Sequence, residues 1–306
     1  MKRAALLIGF GGPERPEDVR PFLDSVLEGV RVPAERYDEV LAHYAKVGNV
    51  SPYNANVEAQ KAALETWFEG LGEPLGVGMA FRHSTPAFRD AFQAFRRHGI
   101  GRVAGFVLSP FRSYPSFDKY VERLEAARAS EASGIEVLYT APFHDDPLFI
   151  RAQAEQVRRV APESPSAGTF YLFTAHSIPQ GLSDKSGYAA QFEEASRRTA
   201  AALELTHWGI AYQSRSGSPK DPWLGPDARS VVEGLPPGRY ERLVAVPVGF
   251  LCENVELLFD LDVELRDAVV GRGIGYRRSS TVMTHPFFIE LMGRRILDAL
   301  KAAENR

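Results

Sequence analysis

The sequence predicts an α/β protein built from two Rossmann-like, doubly wound domains, each a parallel sheet covered by helices on both faces. Three observations predict it. Short apolar runs alternate with longer amphipathic stretches along nearly all 306 residues. A Pro- and Ser-rich stretch, Pro162-Glu163-Ser164-Pro165-Ser166, interrupts that pattern near the midpoint. Each half also contains a strand that breaks into a turn closed by proline, Leu7–Pro13 in one and Phe173–Pro179 in the other. Strand and helix alternating at this spacing imply parallel sheets buried on both faces. Eight strands and nine helices would also suffice for a closed (β/α)₈ barrel. The break at the midpoint favours two open sheets, with domains over residues 1–160 and 161–306. The last helix is a candidate to pack back on the first domain.

In chain order, Ala4–Ile8, Gly76–Phe81, Arg102–Leu108 and Ile135–Tyr139 read as the buried strands of the first half. Thr169–Thr174, Gly209–Tyr212, Leu243–Val248 and Gly275–Arg278 supply the second. Helical periodicity falls on Pro16–Glu28, Ala34–Lys46, Asn54–Glu69, Pro86–His98, Ser116–Ala129, Pro147–Val160, Ala189–Glu204, Glu253–Val270 and Pro286–Ala303. Proline opens several of these, where its missing N–H costs nothing.

Bulk properties exclude several classes. Apolar residues make up 44% and charged residues 25%, a globular balance. The net charge is -3 and no basic run resembles a polyanion track, which argues against nucleic acid as a partner. A single cysteine, Cys252, cannot form an intramolecular disulfide or a thiolate cluster. No stretch reaches the ~20 apolar residues of a membrane span. The expectation is a cytoplasmic monomer without stable membrane insertion.

In open α/β sheets, ligands bind beyond the carboxyl ends of the strands. The first strand ends in Gly9-Phe10-Gly11-Gly12-Pro13, which fits neither common phosphate-loop pattern and loses a donor at Pro13. It reads as a tight turn that a flat ligand can approach. The fifth strand runs into His176, a group that can take protons or bind a metal through a neutral nitrogen, or simply be satisfied by a nearby carbonyl. After the seventh strand, Glu256, Asp260 and Glu264 recur at i, i+4 and i+8 on one helical face. Such a row is either a solvated acidic face or an oxygen-lined path for a hard divalent cation. Arg215, in the polar loop Gln213-Ser214-Arg215-Ser216-Gly217, either clamps a carboxylate or merely caps its loop. Phe111, Tyr114, Phe117 and Tyr120 offer aromatic surface that suits a large flat ligand or an ordinary core.

Taken together, these segments resemble the ferrochelatase family over nearly the whole chain. The resemblance rests on Phe173–Pro179, on Tyr212-Gln213-Ser214-Arg215 with Trp223-Leu224, and on Pro247-Val248-Gly249-Phe250 followed by Glu256. Gly12-Pro13, Asp18–Leu23 and Val50-Ser51-Pro52 add to it. With Val32-Pro33 and Gly48, the details are most similar to the coproporphyrin III ferrochelatases of high-GC Gram-positive bacteria.

The resemblance implies a chelatase-like pair of domains with a porphyrin cleft between them, and insertion of Fe²⁺ into coproporphyrin III in haem biosynthesis. His176 matches the family's metal-site histidine and Glu256 its facing carboxylate, so these two are expected to be both catalytic and metal-binding. Asp260 and Glu264 match a row of acids leading toward solvent, a cation path. Phe10, Ser51, Phe111, Tyr114 and Arg215 are the expected porphyrin contacts. Iron is then substrate, with no resident cofactor and no iron-sulfur cluster. Three departures stand out: Phe10 replaces a tyrosine able to ligate iron, Asn254 replaces a histidine, and Leu27-Glu28 replace arginines that contact propionates. Protoporphyrin IX as substrate, another metal as cargo, and a porphyrin- or haem-binding protein without turnover are the competing readings.

Overall fold

A computed structural model of the chain describes residues 1–29, 34–163, 166–216 and 221–304. Val32-Pro33, Ser164-Pro165 and Gly217, used in the sequence reading, lie outside the described residues. Compactness divides the chain into two units. One comprises Met1–Leu108, Phe117–Ala141 and Ile289–Arg306; the other comprises Ser109–Ser116 and Pro142–Phe288.

The first unit runs β1 (Lys2–Gly9), α1 (Val19–Val26), α2 (Ala34–Lys46), α3 (Tyr53–Gly70), β2 (Gly76–Phe81), α4 (Phe88–Arg97), β3 (Ile100–Val107), α5 (Lys119–Glu131) and β4 (Glu136–Tyr139). All strands are parallel, in the order β2-β1-β3-β4. Six consecutive residues of β1, Ala4–Gly9, are buried, as expected for a central strand covered on both faces. Leu6 and Ile8 meet Phe88, Phe92 and Phe95 of α4 in one core cluster. Gly78 makes room for that packing: a Cβ there would stand 3.0 Å from the Phe95 ring.

In the second unit come α6 (Pro147–Val160), β5 (Thr169–His176), α7 (Gln180–Ser186), α8 (Tyr188–Ala202), β6 (Trp208–Gln213), α9 (Ala228–Glu233) and β7 (Arg242–Val246). A π-helix (Leu257–Leu265), α10 (Arg266–Val270) and β8 (Gly275–Arg278) follow, and then α11 (Pro286–Glu304). This sheet is also wholly parallel, in the order β6-β5-β7-β8. Both sheets therefore repeat one topology, second-first-third-fourth. That is the duplicated α/β unit expected from the sequence. The closed barrel is excluded, because the strands form two separate four-stranded sheets.

One helix falls differently from the expected boundary at residue 160. Helix α6 belongs to the second unit, where the Gln156 amide donates to the Thr281 carbonyl at 2.6 Å. From Ile289 onward α11 belongs to the first unit; its Gly293 lies against the Trp67 indole and Glu304 pairs with Arg3 at 2.8 Å. Three expected helices are also composite. Pro16–Asp18 is a 3₁₀ turn before α1, and Tyr114–Asp118 is a π turn before α5. The helix expected over Glu253–Val270 is largely the π-helix, continued by α10. Helices α7 and α9, of seven and six residues, are too short for periodicity to reveal.

Candidate active site

The carboxyl ends of β5, β6 and β7 bring the reactive groups of the second unit together. The chain leaves β5 for β6 on one side and then crosses to β7 on the other, so the switch point lies between β5 and β7. His176 is the last residue of β5, paired in register with Gln213, the last residue of β6. The turn after β7 lies hard against this end. The Gly249 N–H donates to the Thr174 carbonyl at 3.1 Å, and a Cβ on Gly249 would stand 2.8 Å from Ala175 Cα. Only glycine permits that approach, which leads the chain on toward Glu256.

His176 is held from several sides. Its carbonyl accepts from the Tyr188 hydroxyl at 3.0 Å. The following residue is fixed by its N–H to the Gln213 carbonyl, 2.7 Å, and its hydroxyl to the Leu224 carbonyl, 2.8 Å. On the ring, Nδ1 lies 2.5 Å from the Ser177 carbonyl oxygen. A carbonyl can only accept, so Nδ1 is the donor of this bond and Nε2 is the ring nitrogen left for other partners. That nitrogen lies 3.8 Å from the nearer carboxylate oxygen of Glu256. Both side chains keep a third to a half of their surface, 32% and 46%, so a substrate can reach them.

Asp260 stands one turn beyond Glu256. Its carboxylate accepts a short hydrogen bond from the Ser214 hydroxyl and a longer one from the Gln213 amide at 3.5 Å. Ser214 adopts φ +60°, a left-handed conformation that turns the chain directly after β6. Burial pushes the Asp260 carboxyl up to about 7, and the Glu256 and Glu264 charges push the same way. The Ser214 hydrogen bond and His176 oppose the shift. Asp260 is therefore poised to hold or release a proton near neutrality. Glu256 and Glu264 are exposed, and Asp260 between them is the withdrawn member of the three.

Asn254 has a different task from the imidazole expected at that place. Its Oδ1 accepts from the Leu257 N–H at 3.2 Å and its amide donates to the Cys252 carbonyl at 3.3 Å. It closes the start of the helical segment. Among the described residues, no group of three or more His, Cys, Asp or Glu side chains is placed to hold a metal ion. One imidazole facing one carboxylate gives a weak, open site.

The expected porphyrin contacts fare unequally. Phe111 is only 1% exposed, with its ring packed on Tyr188 (5.7 Å) and Phe192 (5.9 Å). It supports the residue that holds His176 and has no face left for a ligand. Tyr114 is 42% exposed. Arg215 is exposed and donates to the Asp221 carbonyl at 3.0 Å, which bridges its own loop.

Phe10 and Ser51 belong to the first unit. There Phe10 packs on Phe22 and on the His83 ring at 4.7 Å, and Ser51 donates its N–H to the Pro13 carbonyl at 2.8 Å. The glycine turn is filled by side chains: Gly12 N–H goes to Asn54 Oδ1 at 3.0 Å, and Ser51 and Ser84 occupy the space of absent Cβ atoms. Its glycines thus serve close packing of the protein on itself. His83, unremarkable in sequence, is half-buried beside Ser25 Oγ at 2.9 Å, and burial with nearby Arg82, Lys119 and Arg123 lowers its pKa to about 4. Sequence reasoning also missed Tyr188 and the task of Ser214. Only the position of Ser214 directly after a strand end could have signalled it.

Two parallel sheets of one repeated topology, with a histidine and a carboxylate facing each other at a switch point, define a chelatase-like α/β protein. The fold matches that of the sirohydrochlorin chelatase SirB of Bacillus subtilis, with TM-scores of 0.61 for the cobalt complex and 0.63 for the form with Fe³⁺. Both alignments cover all of this chain and 98% of SirB, at 12% and 14% identity. Relatives in sequence are nearer. A "Ferrochelatase" of Rhodopirellula baltica is 38% identical over 94% of this chain and 83% of its own. A "Coproporphyrin III ferrochelatase" of Mycobacterium tuberculosis is 38% identical over 97% of this chain and 86% of its own. The ferrochelatase family profile matches residues 2–300, and the chain belongs to that family.

Proposed function

We propose that this protein inserts Fe²⁺ into coproporphyrin III, with His176 and Glu256 as the reacting pair. The observation that carries the reading is the pinned imidazole: Nδ1 is committed to Ser177, so Nε2 faces Glu256 across 3.8 Å. Insertion releases the two pyrrole protons as the metal enters the ring. His176 Nε2 is placed to take one of them, or to hold the iron before it transfers, and Glu256 balances the charge and takes the other. Direct transfer between the pair needs about 1 Å of side-chain movement, since a strong hydrogen bond closes near 2.8 Å. The acids at 260 and 264 continue away from this pair and supply hard oxygen ligands for an incoming divalent ion. Their binding must be labile, because the iron has to leave for the macrocycle.

The substrate choice rests on the mycobacterial relatives' names and on the similarity of the motifs. No resident cofactor is invoked; the sole cysteine is buried, and burial raises its thiol pKa. Among the described residues no helix is long and apolar enough to cross a membrane. We place the protein in the cytoplasm as a monomer, with porphyrin and iron as its partners.

Anaerobic Fe²⁺ insertion, run in parallel on coproporphyrin III and protoporphyrin IX with cobalt and nickel as competing metals, tests the reading. It predicts a higher kcat/KM on coproporphyrin III with iron. A preference for protoporphyrin IX would correct the substrate, and tight porphyrin binding without turnover would replace the enzyme by a carrier.

A further inference from the structure

The π-helix has a second attachment, on the side of β8. Tyr276 and Arg278 are two residues apart on that strand and so lie on one face. The Tyr276 hydroxyl donates to the Leu261 carbonyl at 2.8 Å. Arg278 grips Asp262 with its fork, Nε to Oδ1 at 2.6 Å and Nη2 to Oδ2 at 2.7 Å. The same Nη2 lies 2.9 Å from Oε2 of Glu253. Oε1 of Glu253 accepts in turn from the Thr281 N–H at 3.0 Å and from the hydroxyls of Ser280 and Thr281. The cluster is largely withdrawn from water, with the Arg278 side chain 13% and the Glu253 side chain 18% exposed.

A buried ionic cluster is a poor source of stability, since apolar side chains of the same size often do as well. What it supplies is a fixed geometry. The attachments fall at Glu253, Leu261 and Asp262, three residues before Glu256 and immediately after Asp260. They bracket the two acids nearest His176. A π-helix closes i→i+5 bonds, with about one more residue per turn than an α-helix, and it is rare without a tertiary reason. We propose that Tyr276 and Arg278 are positioning residues: from β8 they hold the segment that carries Glu256 and Asp260 at a fixed setting relative to His176, where iron is handled. This rests on the proposed handling of iron by these acids. Neither residue touches substrate; each acts through the helix it grips.

Two conservative variants test the clamp in the full chain. Tyr276→Phe removes a single hydroxyl, and Arg278→Lys keeps the charge but loses the planar fork. Three readouts are taken: KM for Fe²⁺ under anaerobic conditions, the Kd of coproporphyrin III from its Soret band, and amide hydrogen exchange along the chain. The clamp predicts a rise of about five- to tenfold in KM for Fe²⁺ in each variant. The porphyrin Kd stays within about twofold, and exchange quickens only over residues 253–270. Unchanged exchange in that segment overturns the proposal. So do equal losses for iron and porphyrin, the mark of general destabilisation. The double variant Asp260→Asn/Glu264→Gln is measured beside them. If it leaves KM for Fe²⁺ unaltered, the iron role of the row fails, whereas the exchange pattern of Tyr276→Phe still decides whether β8 holds the helix.

Discussion

His176 draws its specific character from one hydrogen bond. With Nδ1 donating to the Ser177 carbonyl, the ring can act only through Nε2, the nitrogen that faces Glu256. Gly249 is the neighbour that permits this arrangement. Gly249→Ala drives a Cβ into Ala175 and should destabilise the fold by roughly 1–3 kcal/mol, the usual range for overpacking, measurable by urea denaturation. Asp260 makes a separate prediction through its pKa. Its folded value, about 7, lies above the ordinary carboxylate value near 4, so between those limits the folded chain holds a proton that the unfolded chain has released. Stability therefore falls as pH rises through that window. Asp260→Asn removes the fall: its Tm should exceed that of the parent by roughly 2–4 °C at pH 8 and equal it near pH 4. A variant less stable at pH 8 would show that Asp260 is not strained by burial. Ser214→Ala works in the opposite sense, withdrawing the hydrogen bond that restrains Asp260. The pH at which iron uptake is half-maximal should move up by roughly half to one unit.

At the scale of elements, the π-helix carries Asp260 and Glu264 on from Glu256. On the proposed cation path, Asp260→Asn/Glu264→Gln should raise KM for Fe²⁺ several-fold more than it lowers kcat, because side chains that guide the ion without meeting the ring act on its capture. A drop in kcat with unchanged KM would place them in the chemical step. The strands were legible because a strand buried on both faces must be a continuous apolar run, as in Ala4–Ile8 and Thr169–Thr174. The acids at i, i+4 and i+8 were equally plain. Their geometry was not: apolar periodicity reports a helix without saying whether it closes at i+4 or i+5, and the choice here involves Tyr276 and Arg278, far along the chain. Phe111 shows the same limit in another form. Following a strand end marked it as a candidate wall, but only the packing of Tyr188 and Phe192 reveals that its ring is enclosed.

For the whole molecule, one α/β topology occurs twice with different consequences. In both units the first strand ends at a switch point. In the first unit the turn is filled by Asn54, Ser51 and Ser84; in the second it carries His176 with an open ring face. Duplication was visible in the paired strand-to-proline breaks, and the division of roles was not, because the partners of the side chains in and around Gly9–Pro13 and Ala175–Pro179 lie elsewhere in the chain. The central claim is that metallation depends on the His176 imidazole, and single-turnover Fe²⁺ insertion into coproporphyrin III by His176→Ala tests it most directly. The account predicts a loss of at least about 10³-fold in rate, with the porphyrin still bound, as judged by its Soret titration. Insertion at the parent rate by that variant would contradict it.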